Sequence, residues 1–463
     1  MNTILTKDIT KITNTSNQYA HGLKFWLTLH TKDLDIKITQ LYSVEYMRDY
    51  AANSSDYVIV KFRLPAGTFV YDVYPNRDHM ELTIQYGNMK KLLSTVRYKF
   101  VMLNNNGGIE GTRHSYMPRN LLDKAELIVV EGQCLLREAE GLRTSYLSGV
   151  YSRATLQDTL KTEIKNTAAK VKLEGQPIDI EVSVADLANT KVYDHIVIPT
   201  GTRLLQVGNV LQNNEYGLYN GKVGTYLQHF EDKLTYFLYP LYDNERFSKA
   251  KKKLMIYADD NQKYVYQENT WIQDAGIVSI IGNNKTKIQD NGENDFNSEG
   301  SGVINNNPDV ISNRDVTVTD EEAKSSKENH MAGSKITEKR DGTTNSVYLG
   351  NQSNSYKFRS DISQASMATM QVVWNYAVPD RLFPGMPVCY IYADGKEKSG
   401  SVVRLNGTLL GVYVKYDNAP KTMSALLNIA VEKPLIKRYS KDSSGGGSGS
   451  ASSKLGSLLG KFK

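Results

Sequence analysis

Cysteine is scarce: Cys134 and Cys389 are the only two in 463 residues, and they fall in stretches that read as different domains. Neither a disulfide framework nor a cysteine metal site is therefore indicated, and a reducing compartment fits. No apolar run approaches the roughly 18 residues of a membrane-spanning helix, and the N-terminal MNTILTKDITK has no apolar signal core, so no membrane span is expected. HExxH and CxxC are missing, and none of the seven histidines, among them His79, His114 and His195, has a partner at metal-ligand spacing. Gly217-Leu-Tyr-Asn-Gly221-Lys222-Val223 has one residue too few for a phosphate loop and no Ser/Thr after the lysine, so it reads as a tight turn. DNGENDFNSEG does not place its oxygens at the alternate positions of a calcium loop. No cofactor and no metal are therefore expected. Paired carboxylates for glycoside hydrolysis stay open, because the two acids need not be close in sequence.

Basic charge is also missing from the folded part. The net charge is +6, but from Glu432 onward seven Lys/Arg face two acids, which accounts for nearly all of the excess. A nucleic-acid binder needs a basic face interleaved with aromatic or base-reading groups across its folded region, so specific nucleic-acid binding is not expected. Tyrosine, by contrast, is abundant, at thirty against eleven Phe. A ring that packs on one side while its hydroxyl stays wet suits half-buried β surface and interfaces.

Length predicts two to four domains. Up to about residue 150, LKFWLTLHT, DYVIVKFRL, TFVYDVY, MELTIQYG, VRYKFVML and AELIVVEGQCLL read as strands with period-2 alternation, broken at Pro65-Ala66-Gly67, Tyr74-Pro75-Asn76 and Asn106-Gly107-Gly108. They predict an antiparallel β domain, a barrel or a sandwich. The period then changes. Leu156, Leu160, Ile164 and Ala168 fall four apart on one helical face, and a second helix is expected over 202–213 with Thr202 as N-cap and Gly217 beyond its end. KLTYFLYPLY follows as a strand closed by Pro240, making 151–245 a compact α/β module. LMIYADD, KYVYQENTW and GIVSIIG return to strand.

From 283 to 361 the chain is rich in Asn, Ser, Gly and Asp, and between 283 and 346 its one aromatic is Phe296. Such a stretch buries too little apolar surface to offset an ordering cost of ~1–2 kcal/mol per residue. It is either a linker between domains or an insertion into one. Beyond it, 362–370 is helix-compatible and 371–377 alternates as a strand. Pro384-Gly385 suits a type II turn, and Asn406-Gly407 between 402–405 and 408–416 reads as a type I′ hairpin. Three or four strands are thin for a core of their own, which favours closure with the strands of 254–281, and thus insertion. SKDSSGGGSGSASS reads as a Gly/Ser linker. In KLGSLLGKFK, Leu455, Leu458, Leu459 and Phe462 form an apolar helical stripe ringed by Lys454, Lys461 and Lys463. A frayed terminus, a tethered helix that docks in a partner's groove and surface membrane binding are the three readings; four large apolar groups after a tether favour docking, and a short stripe without tryptophan weakens the membrane reading.

The order of these parts resembles the baseplate hub protein family of contractile-tailed bacteriophages. The helix expected over 202–213 followed by EYGLYNGKVGTYLQHFEDKLTYFLYPLY looks like that family's middle-domain helix and the strand after it, and SQASMATMQVVWNYAVPDRLFPGMPVCYIYADGKEKSGSVVRLNGTLLGVYVKY looks like its final barrel portion. The resemblance implies a mainly β, α+β chain with two tube-type antiparallel β-barrel domains flanking an α/β middle module. The parts would be a first barrel at 1–150, the middle module at 151–245, a discontinuous second barrel at 246–282 and 362–440, the polar insertion at 283–361, a linker at 441–453 and a terminal amphipathic helix at 454–463. It further implies a non-enzymatic virion component of the tail baseplate, made in the host cytoplasm. As a homotrimer it would join the central spike protein to the tail tube or tube-initiator protein and template tube growth around the tape-measure protein. A tail-associated cell-wall-degrading enzyme and a receptor-binding or fibre-connector protein are the alternatives. The length and polarity of 283–361 and the helix at 454–463 depart from the family plan.

Overall fold

A computed structural model describes residues 3–15, 24–87, 92–103, 127–208, 217–219, 221–259, 264, 269–283, 287–290, 363–364, 367–393, 402–418 and 422–432. The chain is mainly β. After a helix, α1 (Thr3–Asn14), come β1 (Lys24–His30), β2 (Asp35–Ile38), β3 (Gln40–Asp49), β4 (Tyr57–Pro65), β5 (Met80–Gly87), β6 (Leu92–Met102) and β7 (Leu127–Leu136). They pair antiparallel in the order β3-β4-β7-β6-β5-β1-β2. Alternation sets the inner face: Val58, Val60, Phe62 and Leu64 of β4 and Met80, Leu82, Ile84 and Tyr86 of β5 are all buried. The expected strand TFVYDVY does not form. Ala66–Thr68, Phe69–Val73 and Tyr74–Asn76 make consecutive helical turns, because Ala66, Phe69 and Val73 are the apolar anchors, at helical and not alternating spacing.

The middle region holds β8 (Tyr146–Thr155), the helix Leu156–Ala168, β9 (Lys172–Leu173), β10 (Gln176–Pro177), β11 (Glu181–Val184), β12 (Val192–Arg203), β13 (Val223–Phe230) and β14 (Lys233–Pro240). Thr155 caps the helix, its hydroxyl accepting from the Asp158 amide at 3.2 Å. Leu156, Leu160, Ile164 and Ala168 are buried, as their spacing predicts, each worth up to ~1.5–3 kcal/mol for a large aliphatic. Thr202 is not a cap. It lies in β12, whose ladder with β8 runs on to Arg203, and its hydroxyl donates to the Pro199 carbonyl; a 3-10 turn begins only at Leu204. Residues 209–213 of the expected helix lie outside the described residues.

The last region contains β15 (Lys253–Asp259), β16 (Trp271–Asp274), β17 (Ile277–Asn283), β18 (Lys287–Asp290), β19 (Met367–Asn375), β20 (Pro387–Ala393), β21 (Val402–Asp417) and β22 (Thr422–Glu432), ordered β16-β17-β15-β20-β21-β22-β19-β18. Strands from before and after the polar stretch thus share one sheet, β15 pairing with β20, and β18, which falls within the expected 283–361 insertion, joins the same sheet by pairing with β19. The pairing is antiparallel except at β15, which is parallel to both β17 and β20. Parallel strands are normally covered on both faces, and this explains the continuous apolar runs LMIYA, IVSII and VCYI. The outer cover is α1, whose Leu5, Ile9 and Ile12 cluster with Tyr257, Ile281, Cys389 and Ile391.

Two further local expectations change. Met367 to Met370 belong to β19, with helical backbone only at Ser363 and Gln364 among the described residues of that stretch. Asn406-Gly407 is not a turn: β21 runs straight through it, and the hairpin partner is β22. Gly407 is needed because a Cβ there would lie 1.7 Å from the Ala430 carbonyl oxygen, a close approach of two backbones.

Candidate functional site

The feature that organises the chain is the junction of its three regions. β21 is 16 residues long and serves both halves. Its first part pairs with β20 and its last part, from Gly411, pairs with β3, so the strands of both halves form one 15-stranded sheet. A bulge between Leu409 and Gly411 separates the two partnerships and re-aims the strand. Phe25 of β1 closes against Tyr416 of β21, ring centroids 4.5 Å apart.

Residues 48–56, the end of β3 and the loop that leads to β4, stitch this seam to the middle region. The Arg48 guanidinium donates from Nε and Nη2 to Asp56 Oδ1 and Oδ2, both at 3.1 Å, and both side chains are buried. The Tyr226 hydroxyl donates to the same Asp56 Oδ1 at 3.1 Å. The Tyr239 hydroxyl donates to the Tyr50 carbonyl at 2.6 Å, the Tyr50 amide to the Leu410 carbonyl, and the Leu227 amide to the Ser54 carbonyl. Tyr50 and Tyr226 meet edge to face at 4.9 Å.

The turn at Phe383 to Met386 is the second link. Gly385 has φ of 66° and the Met386 amide donates to the Phe383 carbonyl, the type II geometry expected of Pro384-Gly385. Gly385 lies flat against Tyr239, where a Cβ would fall 2.3 Å from the ring, and its carbonyl accepts from buried Arg246 Nη1 at 3.0 Å. Phe383 packs on Phe230 and Phe237.

Electrostatics make this node unusual. Burial opposes the charge on Arg48, yet the neighbouring Asp56 carboxylate holds its pKa well above the ordinary range. Burial raises the tyrosine hydroxyls of Tyr46, Tyr50, Tyr98 and Tyr226, so they remain donors. Asp380, in the turn Pro379–Arg381, is pushed up to about 7, first by burial, against the attraction of Arg48 and Arg381 and with the repulsion of Asp56. Its Oδ2 is buried without a hydrogen-bond partner.

Chemically the node clamps three regions together, with Arg48, Tyr50, Asp56, Tyr226 and Tyr239 buried and Asp380 half-buried. Thr83, His30 and Asp35 do align as hydroxyl, imidazole and carboxylate, at 2.8 and 2.7 Å. Thr83 and His30 are diagonal neighbours on the β1–β5 ladder, so the alignment is a cross-strand hydrogen-bond chain on the sheet. His195 bonds Ser152 across β8 and β12, and His79 is exposed. No group of three or more His, Cys, Asp or Glu that could hold a metal occurs among the described residues. The Gly217 stretch is packing: Leu218 and Tyr219 are buried, and the Gly217 carbonyl accepts from Asn189. Cys134 lies in the first core and Cys389 beneath α1, both buried. Leu455, Leu458, Leu459, Phe462 and His114 lie outside the described residues.

Reading the sequence missed Arg48, Asp56 and Asp380. A signal for Arg48 is its parity: Val44, Tyr46, Arg48 and Tyr50 share the inner face of one alternating strand, and a charge there demands a buried partner.

No family model matches the sequence, and no curated protein matches it. Among solved structures, a tail protein from Neisseria meningitidis is similar at a TM-score of 0.45 and 11% identity, over 90% of this chain and 98% of that one. The 43 kDa tail protein of prophage MuSo2 from Shewanella oneidensis is similar at 0.43 and 11%, over 89% and 99%. An Escherichia coli component of the type VI secretion system, described as structurally similar to bacteriophage tail proteins, is similar at 0.41 and 8%, over 88% and 77%.

Proposed function

We propose that this chain is a baseplate hub of a phage tail. It is a non-enzymatic virion subunit that forms a homotrimer, carries the central spike protein below, and presents the tail tube or tube-initiator protein above with a template for tube growth around the tape-measure protein. The observation that carries the reading is the shared strand β21. One chain holds two barrel-like halves side by side in a continuous sheet. Three such chains offer six similar units, the count an adaptor between a threefold spike and a sixfold tube requires. The buried latch supports it, since a subunit under axial load needs its halves fixed. Obligate ring contacts commonly bury more than ~2,000 Å² and use exposed apolar and aromatic surface. The β8–β12 ribbon offers such surface at Tyr146, Val150, Val192 and Val197. Leu455, Leu458, Leu459 and Phe462 pin a neighbouring tail protein in this scheme.

The test is seeding. Purified chain added to tail-tube subunits together with tape-measure protein is expected to shorten the lag of tube assembly, and an unchanged lag counts against the reading. Release of soluble sugar from peptidoglycan by the same preparation would replace it with the enzyme alternative.

A further inference from the structure

Asp380 reaches the junction from the second half of the chain, in the turn Pro379–Arg381 between β19 and β20. The residue is half-buried, yet its Oδ2 is enclosed and has no hydrogen-bond partner. From β3 it faces Tyr46 and Arg48, from the loop before β4 Asp56, and on its own turn Arg381. Tyr98 of β6 and Cys134 of β7 complete the surrounding field. Burial holds the Tyr46 and Tyr98 hydroxyls and the Cys134 thiol protonated, so none of them titrates near neutrality.

The cation best placed to neutralise an ionised Asp380 is Arg48, and it is already committed. Its Nε and Nη2 donate to the two oxygens of Asp56, and the Tyr226 hydroxyl adds a third bond to that carboxylate. One guanidinium balances one carboxylate. A second carboxylate beside them leaves the enclosed pair with a net negative charge, answered only from the side by half-buried Arg381. A neutral Asp380 avoids that cost, and its pKa is accordingly pushed up to about 7, first by burial.

The excess charge would fall on 48–56, the segment that joins the regions. It holds β21 through the Tyr50 amide on the Leu410 carbonyl, and β13 through the Leu227 amide on the Ser54 carbonyl. Both bonds break if 48–56 moves away. We propose that Asp380 is a proton switch on this junction: its neutral carboxyl lets Arg48 and Asp56 latch the three regions, and loss of its proton sets a second carboxylate against that pair and loosens 48–56 from β21 and β13. The switch does not depend on the hub reading, because it concerns one cluster within a single chain.

Hydrogen exchange of the full chain tests it, read by mass spectrometry and corrected for the intrinsic pH dependence of amide exchange. With the junction open, Asp380 meets water and titrates at ~3.9. With the junction closed it titrates at about 7. Between those values only the closed form holds the proton, so opening becomes easier as pH rises, by about 100-fold from pH 5 to pH 8 and little further above. The Tyr50 and Leu227 amides should lose protection by that factor. They should also exchange faster than the β5–β6 ladder and with little urea dependence, the marks of a local opening. Asp380→Asn has no proton to lose, so its junction should stay protected and level across the range. Arg381→Gln removes a cation that favours the ionised form, so its transition should move to higher pH; this variant carries the test if Asp380→Asn does not fold. Junction amides as well protected as the β5–β6 ladder, a level response in the parent chain, a parent-like response in Asp380→Asn, or an unmoved transition in Arg381→Gln overturns the proposal.

Discussion

Removing one partner of the buried ion pair should cost far more than removing both. The Arg48 and Asp56 side chains are 7% and 2% exposed and joined by two 3.1 Å bonds. At an effective dielectric constant near 20, unit charges about 4 Å apart attract by ~4 kcal/mol. Asp56→Leu leaves the Arg48 guanidinium buried without its counter-charge and the Tyr226 hydroxyl without its acceptor, while Arg48→Met leaves the Asp56 carboxylate in the same position. Each single substitution should destabilise by about 3–5 kcal/mol, and the double variant, with two apolar groups of similar volume, should recover most of that. The assay is urea denaturation of the four members of the cycle, followed by tryptophan fluorescence; Trp374 in the second half and Trp26 in the first report both sides of the junction. A coupling of about 2 kcal/mol or more is expected for two charges in direct contact. Singles within 1 kcal/mol of the parent, or a double equal to their sum, would refute the clamp.

Other outcomes follow from single positions. Gly385→Ala must place a Cβ into the Tyr239 ring at a φ of 66°, so a loss of about 2–4 kcal/mol is expected in thermal or urea denaturation. Gly407→Asn is benign in a type I′ turn but collides with the Ala430 carbonyl in the observed strand, so soluble yield and melting temperature should fall sharply. Asp380 is raised to about 7 in the folded chain, whereas an unfolded aspartate titrates near ~3.9. Below the unfolded value the carboxyl is neutral in both states; as pH rises toward about 7 only the folded state holds the proton, so its contribution to stability declines through that window. Asp380→Asn should flatten this decline in denaturation midpoints measured from pH 4 to pH 8, and an unchanged slope would count against a buried, protonated Asp380.

Periodicity was legible where one physical term dominates. The strands of β4 and β5 and the helix Leu156–Ala168 announce themselves because a single buried face sets the spacing. The turn at Pro384-Gly385 was legible because a fixed φ beside a positive φ admits few conformations. Asn406-Gly407 misled for a tertiary reason: strong local turn chemistry lost to a glycine required by a backbone approach from β22. TFVYDVY misled because β-rich composition concealed helical spacing of its anchors. The junction was hardest to see, since the 48–56 segment, Tyr226 and Asp380 lie more than 150 residues from one another along the chain, and only the parity of Arg48 hints at it. α1 left a subtler sign. A strand such as VCYI with apolar residues on both faces asks for a cover on each side, and the cover came from the opposite end of the chain.

The most direct test of the hub account is the native mass of the full chain in solution. The account predicts a species of three times the 52.0 kDa chain mass at micromolar concentration, and a chain that remains at 52.0 kDa across that range would contradict it.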